Sequence, residues 1–388
     1  MRIVHFLTHT HTCNGNVHVA VDLACIQAKM GHSVSVISGG GDFDSLLAAH
    51  RVKHVVIDLK RTPGNLVVAI RKLDAALSLI APDIVHAHMM TSAVLAAAFR
   101  PVLKFKLITT VHNEFDRGAI LMGMGNRVIA VSQAVAEKMR RRGLHRSKLR
   151  VVLNGTIGSP RLSSATPAVV KLMRPAITFV GGLHPRKGLE DLIEAFQKVS
   201  ARVPSASLYL VGEGPYRSLY EQWTARIGLG DRIRFCGFQA DPRTYLNASD
   251  IFVLASHAEP GALVLVEARE AGCAIVATAV DGVPEMLDYG RAGILVPPKR
   301  PDLLAEAIVA LLDSEPALQE MRRRASANLE HFTVERVARE CLSVYAGALT
   351  GSSDESGVSL DQRGGGICKP SGRGEPQYGE SSATNHKA

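Results

Sequence analysis

Short apolar runs alternate with helical patterns along most of the chain, the signature of stacked βαβ units. Arg2–Leu7 is the first predicted strand. Ser33–Ile37, His54–Asp58, Asp83–His88, Lys106–His112, Arg127–Val131 and Leu149–Leu153 continue the series. The runs are near-continuously apolar, as strands of a parallel sheet with both faces covered must be. Helices are predicted between them: Val17–Met30, stopped by Gly31; a segment capped by Thr62 and Pro63 that runs to about Ile80; and the small-residue stretch Thr91–Phe99. Residues 156–175 replace this pattern with Ser, Pro, Thr and Ala and mark an interdomain linker. A second strand series follows: Ala176–Val180, Ser207–Val211, Arg232–Cys236, Ile251–Leu254, Ala274–Ala279 and Gly293–Val296, then three helical segments over roughly 301–349. From Thr350 onward no periodicity survives, and a disordered tail is predicted. The pattern therefore predicts an α/β protein of two Rossmann-like parallel-sheet domains facing across a cleft. The domains span 1–160 and 161–335, with a closing helix over 336–350 and a tail over 351–388.

Composition narrows the class. At 388 residues the chain has ample material for two cores. No apolar run reaches the length of a membrane span. The amino terminus has too short an apolar stretch for a signal peptide and reads as a strand. Six scattered cysteines, with no CxxC pair, fit a reducing cytoplasm better than disulfides or zinc. The net charge of +9 is one-sided, because residues 1–160 hold 20 Lys/Arg against 9 Asp/Glu. Much of the excess lies between Lys138 and Arg150. It reads either as a solvated helix end, which the helix dipole favours, or as a surface for an anionic partner such as lipid headgroups. Taken over the whole domain, the asymmetry favours the partner.

The stretch from Asp250 to Glu285 holds the densest candidate chemistry. A buried strand, Ile251–Leu254, opens into a polar loop carrying Glu259, and a helical segment carries Glu267 eight residues on, roughly two turns along if the helix begins near Ala262. Two carboxylates at the carboxyl end of a parallel strand sit where an open α/β sheet binds its ligand. By spacing alone they are equally a capping Glu and a solvent-facing one. Upstream, Gly181–Gly182–Leu183–His184–Pro185–Arg186–Lys187–Gly188 runs from a strand into a helix. Close-approaching glycines, a helix start and two cations make it a phosphate site, although the P-loop spacing is absent. Gly212–Glu213–Gly214 is a tight strand-to-helix turn. The first domain places His9, His11, His86, His88 and His112 at strand ends. A metal site is set aside, because strand alternation is expected to part neighbouring rings and no carboxylate of ligand spacing accompanies them. His112 is the histidine expected to face the cleft, with His86 and His88 structural.

Glu259 and Glu267, the GGLHPRKG loop, Gly212–Glu213–Gly214–Pro215 and Asp281–Gly282–Val283–Pro284–Glu285 occur together in an order that resembles the retaining family-4 glycosyltransferases of GT-B fold. Ala130–Val131–Ser132, Asn154–Gly155 and His112 match the same family's first domain. The resemblance implies a nucleotide-sugar, UDP- or GDP-linked, held by the second domain and a lipid- or glycan-linked acceptor held mainly by the first. Lys187 would neutralise the leaving diphosphate, with the backbone around Gly182 and Leu183. Glu259 would bind the transferred sugar, Glu267 the ribose hydroxyls, and the backbone of Gly261, Ala262 and Leu263 the sugar or phosphate. Gly212 and Glu213 would line the donor site, His112 would lie against the sugar, and Gly15 with Asn16 would approach the diphosphate. No metal or other cofactor is expected. Where the family often carries Arg, this chain has Gly182, so that either Arg186 is a substitute cation or the pyrophosphate is held with one cation fewer. The usual EPFG is Glu259–Pro260–Gly261–Ala262. A cytoplasmic enzyme, peripheral at the inner face of a membrane and serving polysaccharide or lipopolysaccharide assembly, is the expectation. A sugar-nucleotide 2-epimerase of the same fold would need further cleft carboxylates that are not evident. A non-catalytic nucleotide- or polyanion-binding protein is the other alternative. Nucleic acid is not an expected partner, because one Trp and 5% aromatics offer no stacking platform. A dinucleotide enzyme is disfavoured by the lack of GxGxxG.

Overall fold

A computed structural model describes residues 1–351 apart from Cys13, residues 60–61 and residues 163–169. The predicted tail, but for Gly351, and the middle of the predicted linker lie outside the described residues. The first sheet has seven parallel strands: β1 (Arg2–Phe6), β2 (Ser33–Ser38), β3 (Lys53–Val56), β4 (Ile84–Ala87), β5 (Lys106–Val111), β6 (Arg127–Ala130) and β7 (Leu149–Val151), ordered 3-2-1-4-5-6-7. The second has six: β8 (Ala176–Val180), β9 (Ser207–Val211), β10 (Ile233–Gly237), β11 (Ile251–Leu254), β12 (Ala274–Thr278) and β13 (Ile294–Val296), ordered 10-9-8-11-12-13. The two-domain parallel architecture read from the sequence is the one observed.

Helices cover both faces of each sheet, which is why the strands are apolar on both sides. In the first domain these are α1 (Gly15–Lys29), α2 (Asp44–Ala49), α3 (Pro63–Ile80), α4 (Met90–Leu103) and α5 (Gln133–Arg141). The second carries α6 (Leu189–Arg202), α7 (Arg217–Arg226), α8 (Arg243–Leu246), α9 (Leu263–Glu270), α10 (Val283–Met286), α11 (Pro301–Leu312) and α12 (Glu315–Ala325). The last helix, α13 (Val334–Thr350), crosses back. Its Val337, Cys341 and Tyr345 are buried in the core that α1 shares with the first sheet.

Both sheets reverse direction beside their first strand: the chain walks outward through β2 and β3, or β9 and β10, then jumps back to β4 or β11. The strand carboxyl ends at such a reversal open a crevice. The loops after β1, β4 and β5 line one crevice, and those after β8 and β11 line the other. The two meet: a Cβ placed on Gly15, the first residue of α1, would stand 3.6 Å from Cδ1 of Leu263, the first residue of α9.

Candidate functional site

The loop after β8 is shaped by glycine. Gly188 is left-handed at φ 67°, and a Cβ there would fall 1.9 Å from the Ala255 carbonyl oxygen. Gly214 is equally constrained, 2.4 Å from the Leu183 oxygen by the same measure. These close approaches lock the loop against β11, so that the short 3-10 turn Pro185–Lys187 delivers Lys187 toward the loop carrying Glu259. Lys187 Nζ donates to Glu259 Oε2 at 2.5 Å, and Ser256 Oγ donates to the same oxygen at 3.3 Å. Both charged side chains are largely buried, at 15% and 9% exposure. The predicted cation and the predicted carboxylate therefore form one unit.

From Glu259 a chain of polar contacts crosses to the first domain. Its backbone N–H donates to Asp281 Oδ2 at 2.7 Å, and Asp281 Oδ1 accepts from Lys138 Nζ at 2.6 Å. Lys138 also donates to Glu114 Oε1 at 2.5 Å. Burial works to lower the Lys138 pKa, but the hydrogen bonds it donates to Asp281 and Glu114 outweigh it and hold the ammonium above its ordinary range. Glu285 accepts from the Gln133 N–H at 2.8 Å, putting a carboxylate at the amino end of α5, which has no acidic residue of its own in that turn. Asp281 and Glu285, the ends of the DGVPE motif, thus brace the two domains together.

The other predicted donor-side residues are distributed around this unit. Ala262 is the cap residue of α9, so Glu267 stands about one turn into the helix, closer to its start than the eight-residue spacing suggested. Glu267 is buried, and burial pushes its carboxyl up to about 7 against the lowering influence of Arg161. It accepts no side-chain hydrogen bond among the described residues. Arg161 forms a two-pronged pair with Asp22 at 2.9 Å on each prong. Gly261 packs on the first domain, where a Cβ would lie 3.0 Å from Asn154 Nδ2 and 3.4 Å from Val131 Cγ2. The glycine shifted within EPGA has a structural reason, namely close approach between the domains. Gly212 has φ 138°, and a Cβ there would strike the Gly181 oxygen at 2.0 Å. The Glu213 side chain pairs with Arg217. Gly182 lies against His184, whose ring would be 3.2 Å from a Cβ at that position. Arg186 donates to the Ala258 oxygen at 2.9 Å and stacks 4.7 Å over the Phe115 ring of the first domain. Arg186 thus makes a contact between the domains. Asn16 follows Gly15 at the start of α1, and its N–H is capped by Asn14 Oδ1 at 3.0 Å.

Across the cleft, His112 follows β5 and is 8% exposed, with its pKa lowered to about 3 by burial. Its Nε2 lies 3.2 Å from His88 Nδ1. The expectation that strand pleating parts the histidine rings fails, because residues two apart return to the same face. His86 and His88 stand with ring centroids 4.1 Å apart, and His5 of β1 joins them. One ring nitrogen from each of His5, His86 and His88 falls within 4.8 Å of the others, a spacing that suits a metal ion. Both ring nitrogens of all three histidines, however, already face a protein partner: Gln27, His88, Tyr345, Thr110, His5 or His112. A metal would have to displace those bonds.

Lys138, Glu114, Arg161, Gln27 and His5 received no site role from the sequence. Lys138 is hidden in a basic run and Arg161 in the linker. Only the DGVPE motif, already singled out, pointed toward the brace that Lys138 completes.

Two family descriptions match the chain: glycosyl transferases group 1 over residues 167–330, and glycosyltransferase family 4 over residues 13–156. Among curated relatives, the lipopolysaccharide core biosynthesis glycosyltransferase LpsE of Rhizobium meliloti (strain 1021) is 28% identical over 221 residues, covering 56% of this chain and 61% of LpsE. LpsD of the same organism is 34% identical over 199 residues, covering 50% of this chain and 55% of LpsD. The matched region thus spans little more than half of each relative. Among solved structures, Anabaena HepE in complex with UDP and glucose superposes with a TM-score of 0.77 at 21% identity, covering 89% of this chain and 99% of HepE.

Proposed function

We propose that this chain, which belongs to the glycosyltransferases of group 1 in its second domain and of family 4 in its first, moves a sugar from a nucleotide-sugar held by the second domain to an acceptor held by the first. The observation that carries the reading is the Lys187–Glu259 pair beside the converging amino ends of α1 and α9, neither of which has an acidic residue in its first turn. Departure of a nucleoside diphosphate builds negative charge on the leaving phosphates. A lysine and two helix starts answer that charge through fixed donors and dipoles, without a metal. As the phosphate takes over Lys187, Glu259 is released to bind hydroxyls of the transferred sugar. Glu267 takes the ribose hydroxyls, and His112 lies against the sugar near the reacting carbon. Transfer retains the anomeric configuration by same-face attack assisted by the leaving phosphate, unlike the two-carboxylate chemistry of glycoside hydrolysis.

The ligands of HepE support a UDP-sugar donor, and the names of LpsE and LpsD support a lipopolysaccharide-type acceptor. Purified protein is expected to gain thermal stability with at least one sugar of a UDP-, GDP- and ADP-linked panel and to release the matching nucleotide. A panel in which no member binds, shifts Tm or is turned over overturns the reading.

A membrane-linked acceptor has support in one surface. α3, α4 and α5, with the 3-10 segment Arg117–Met124, cover one face of the first sheet. Their exposed side chains include Val67, Val68, Leu79, Val102, Ile120 and Leu121, with the four cations Arg71, Lys72, Lys104 and Arg117 against the two carboxylates Asp74 and Asp116. No helix among the described residues is long and apolar enough to cross a membrane. An apolar surface interspersed with cations suits the anionic face of a bilayer. The pair Val102→Asp with Leu121→Asp is expected to lower co-sedimentation with anionic vesicles at least fivefold, since burying each such side chain contributes roughly 1.5 kcal/mol or more. Turnover of soluble donor should be unchanged. Equal binding to zwitterionic vesicles, or binding indifferent to both substitutions and salt, would overturn the docking.

A further inference from the structure

We infer that Gln27 is a positioning residue which, through a file of buried histidines, sets the tautomer His112 presents to the cleft. Gln27 lies on α1, fully buried. Its amide nitrogen donates to Tyr345 Oη of α13 at 3.4 Å, and its oxygen faces His5. His5 Nε2 lies 2.9 Å from that oxygen, an acceptor, so the His5 proton belongs on Nε2. Its Nδ1 is then a bare acceptor, 2.9 Å from His88 Nε2, which must carry the His88 proton. By the same step His88 Nδ1 is bare and takes a hydrogen bond from His112 Nε2 at 3.2 Å. Three neutral rings in series allow one consistent assignment from a given end group. Burial keeps them neutral, lowering His5 to about 4 and His112 to about 3. His112 Nδ1 is the one ring nitrogen of the file with no partner among the described residues. It is left as a hydrogen-bond acceptor where the sequence places the sugar.

The file explains why histidines stand at two strand ends that the site itself does not use. The N–H···N bonds transmit tautomer identity rather than charge: the His5 and His88 rings lie 5.2 Å apart between centroids and His88 and His112 5.5 Å apart, each pair tilted by 27°, so the bonds run close to the ring planes. A protein hydroxyl beside His112 could have oriented it more simply, but a hydroxyl donates or accepts and fixes neither nitrogen. Gln27 instead turns its amide oxygen, an acceptor only, toward His5. The catalytic meaning of the acceptor rests on the sugar-transfer reading, whereas the tautomer does not.

The test uses the full chain labelled with 15N-histidine, with the His112 ring signals assigned through His112→Gln. Wild type is expected to show a neutral His112 protonated on Nε2. Gln27→Glu should charge His5, make its Nδ1 a donor and move the His112 proton to Nδ1, because it puts a buried anion where wild type has a neutral acceptor. Gln27→Leu removes the acceptor and should give a tautomer mixture at His112, with kcat for transfer lowered on the order of tenfold and donor KM nearly unchanged. A wild-type His112 protonated on Nδ1, or protonated on both nitrogens, overturns the inference whatever the variants do. So does a Gln27→Leu protein that folds and leaves the His112 signals in place. Intact tautomer signatures in a protein that transfers no sugar would instead count against the proposed function.

Discussion

Lys187→Ala is expected to lower sugar transfer by about a hundred- to a thousandfold, almost all of it in kcat, the range seen when one preorganised stabiliser of developing charge is removed. In the resting protein Lys187 is neutralised by Glu259 at 2.5 Å, so its charge is not free to strengthen ground-state binding. It becomes available as the diphosphate leaves, and an interaction made chiefly in the transition state raises kcat rather than lowering KM. The single substitution also strands Glu259, 7% exposed, with Ser256 as its remaining side-chain partner. Breaking a buried pair on one side destabilises by roughly 3–5 kcal/mol, whereas replacing both charges is often close to neutral. Lys187→Met with Glu259→Gln is therefore expected to recover most of the lost Tm and none of the lost kcat. Thermal unfolding and steady-state kinetics on Lys187→Met, Glu259→Gln and the double separate the two effects. Recovery of activity in the double variant, or a Lys187→Ala enzyme altered mainly in KM, would show that Lys187 is a structural partner of Glu259 and nothing more.

The sequence displayed the parts of this molecule that repeat with a period and hid those that depend on two distant segments meeting. The central strands were visible as apolar runs, because covering both faces leaves few polar positions, while the edge strands β3, β7 and β10 were read despite His54, Arg150 and Arg234. α8 and α10, four residues each, span about one helical turn and present no period to read. The loops at the switch points were legible through glycine. Gly188 and Gly214 sit where another backbone passes within contact of the missing Cβ, and clustered glycines announce such approaches. What stayed hidden was partnership. Lys138 looked like one cation in a solvated run, and only folding sets it between Glu114 and Asp281. His86 and His88 looked structural; they are partners of Tyr345 and His5, residues far apart in the chain. Arg186, read as a spare cation for phosphate, is held by the Ala258 oxygen and the Phe115 ring. Residue type located local features better than local bonds: Thr62 stands at the cap position of α3 and Pro63 opens the helix, as read, yet the Thr62 side chain makes no capping bond.

Glu267→Gln is expected to stabilise the free protein at pH 8 while weakening nucleotide-sugar binding by about 30- to 100-fold. Burial holds the Glu267 carboxyl at about 7, above its ordinary 4.5. A carboxyl raised in the folded state binds its proton more tightly there than in the unfolded chain. Ionised Glu267 therefore costs nothing below pH 4.5, a growing amount as pH rises from 4.5 to 7, and its full cost above 7. A shift of that size corresponds to about 3 kcal/mol. Glutamine removes the cost, so the variant's Tm advantage should be largest near pH 8 and fade toward pH 5. Binding runs the other way. Ribose hydroxyls donating to the carboxylate favour its ionised form and pull its pKa down, so wild-type binding should release a proton near neutrality. Wild-type affinity should then fall by up to about tenfold per pH unit below 7, whereas the affinity of Glu267→Gln should stay flat. Two charge-assisted hydrogen bonds replaced by weaker neutral ones account for the expected loss of affinity. Calorimetric titrations of the donor in buffers of different ionisation heat, at pH 6, 7 and 8, read both the affinity and the released proton. A variant less stable than wild type at pH 8 would mean that Glu267 is a satisfied structural carboxylate, and a wild-type affinity indifferent to pH would remove it from the donor site.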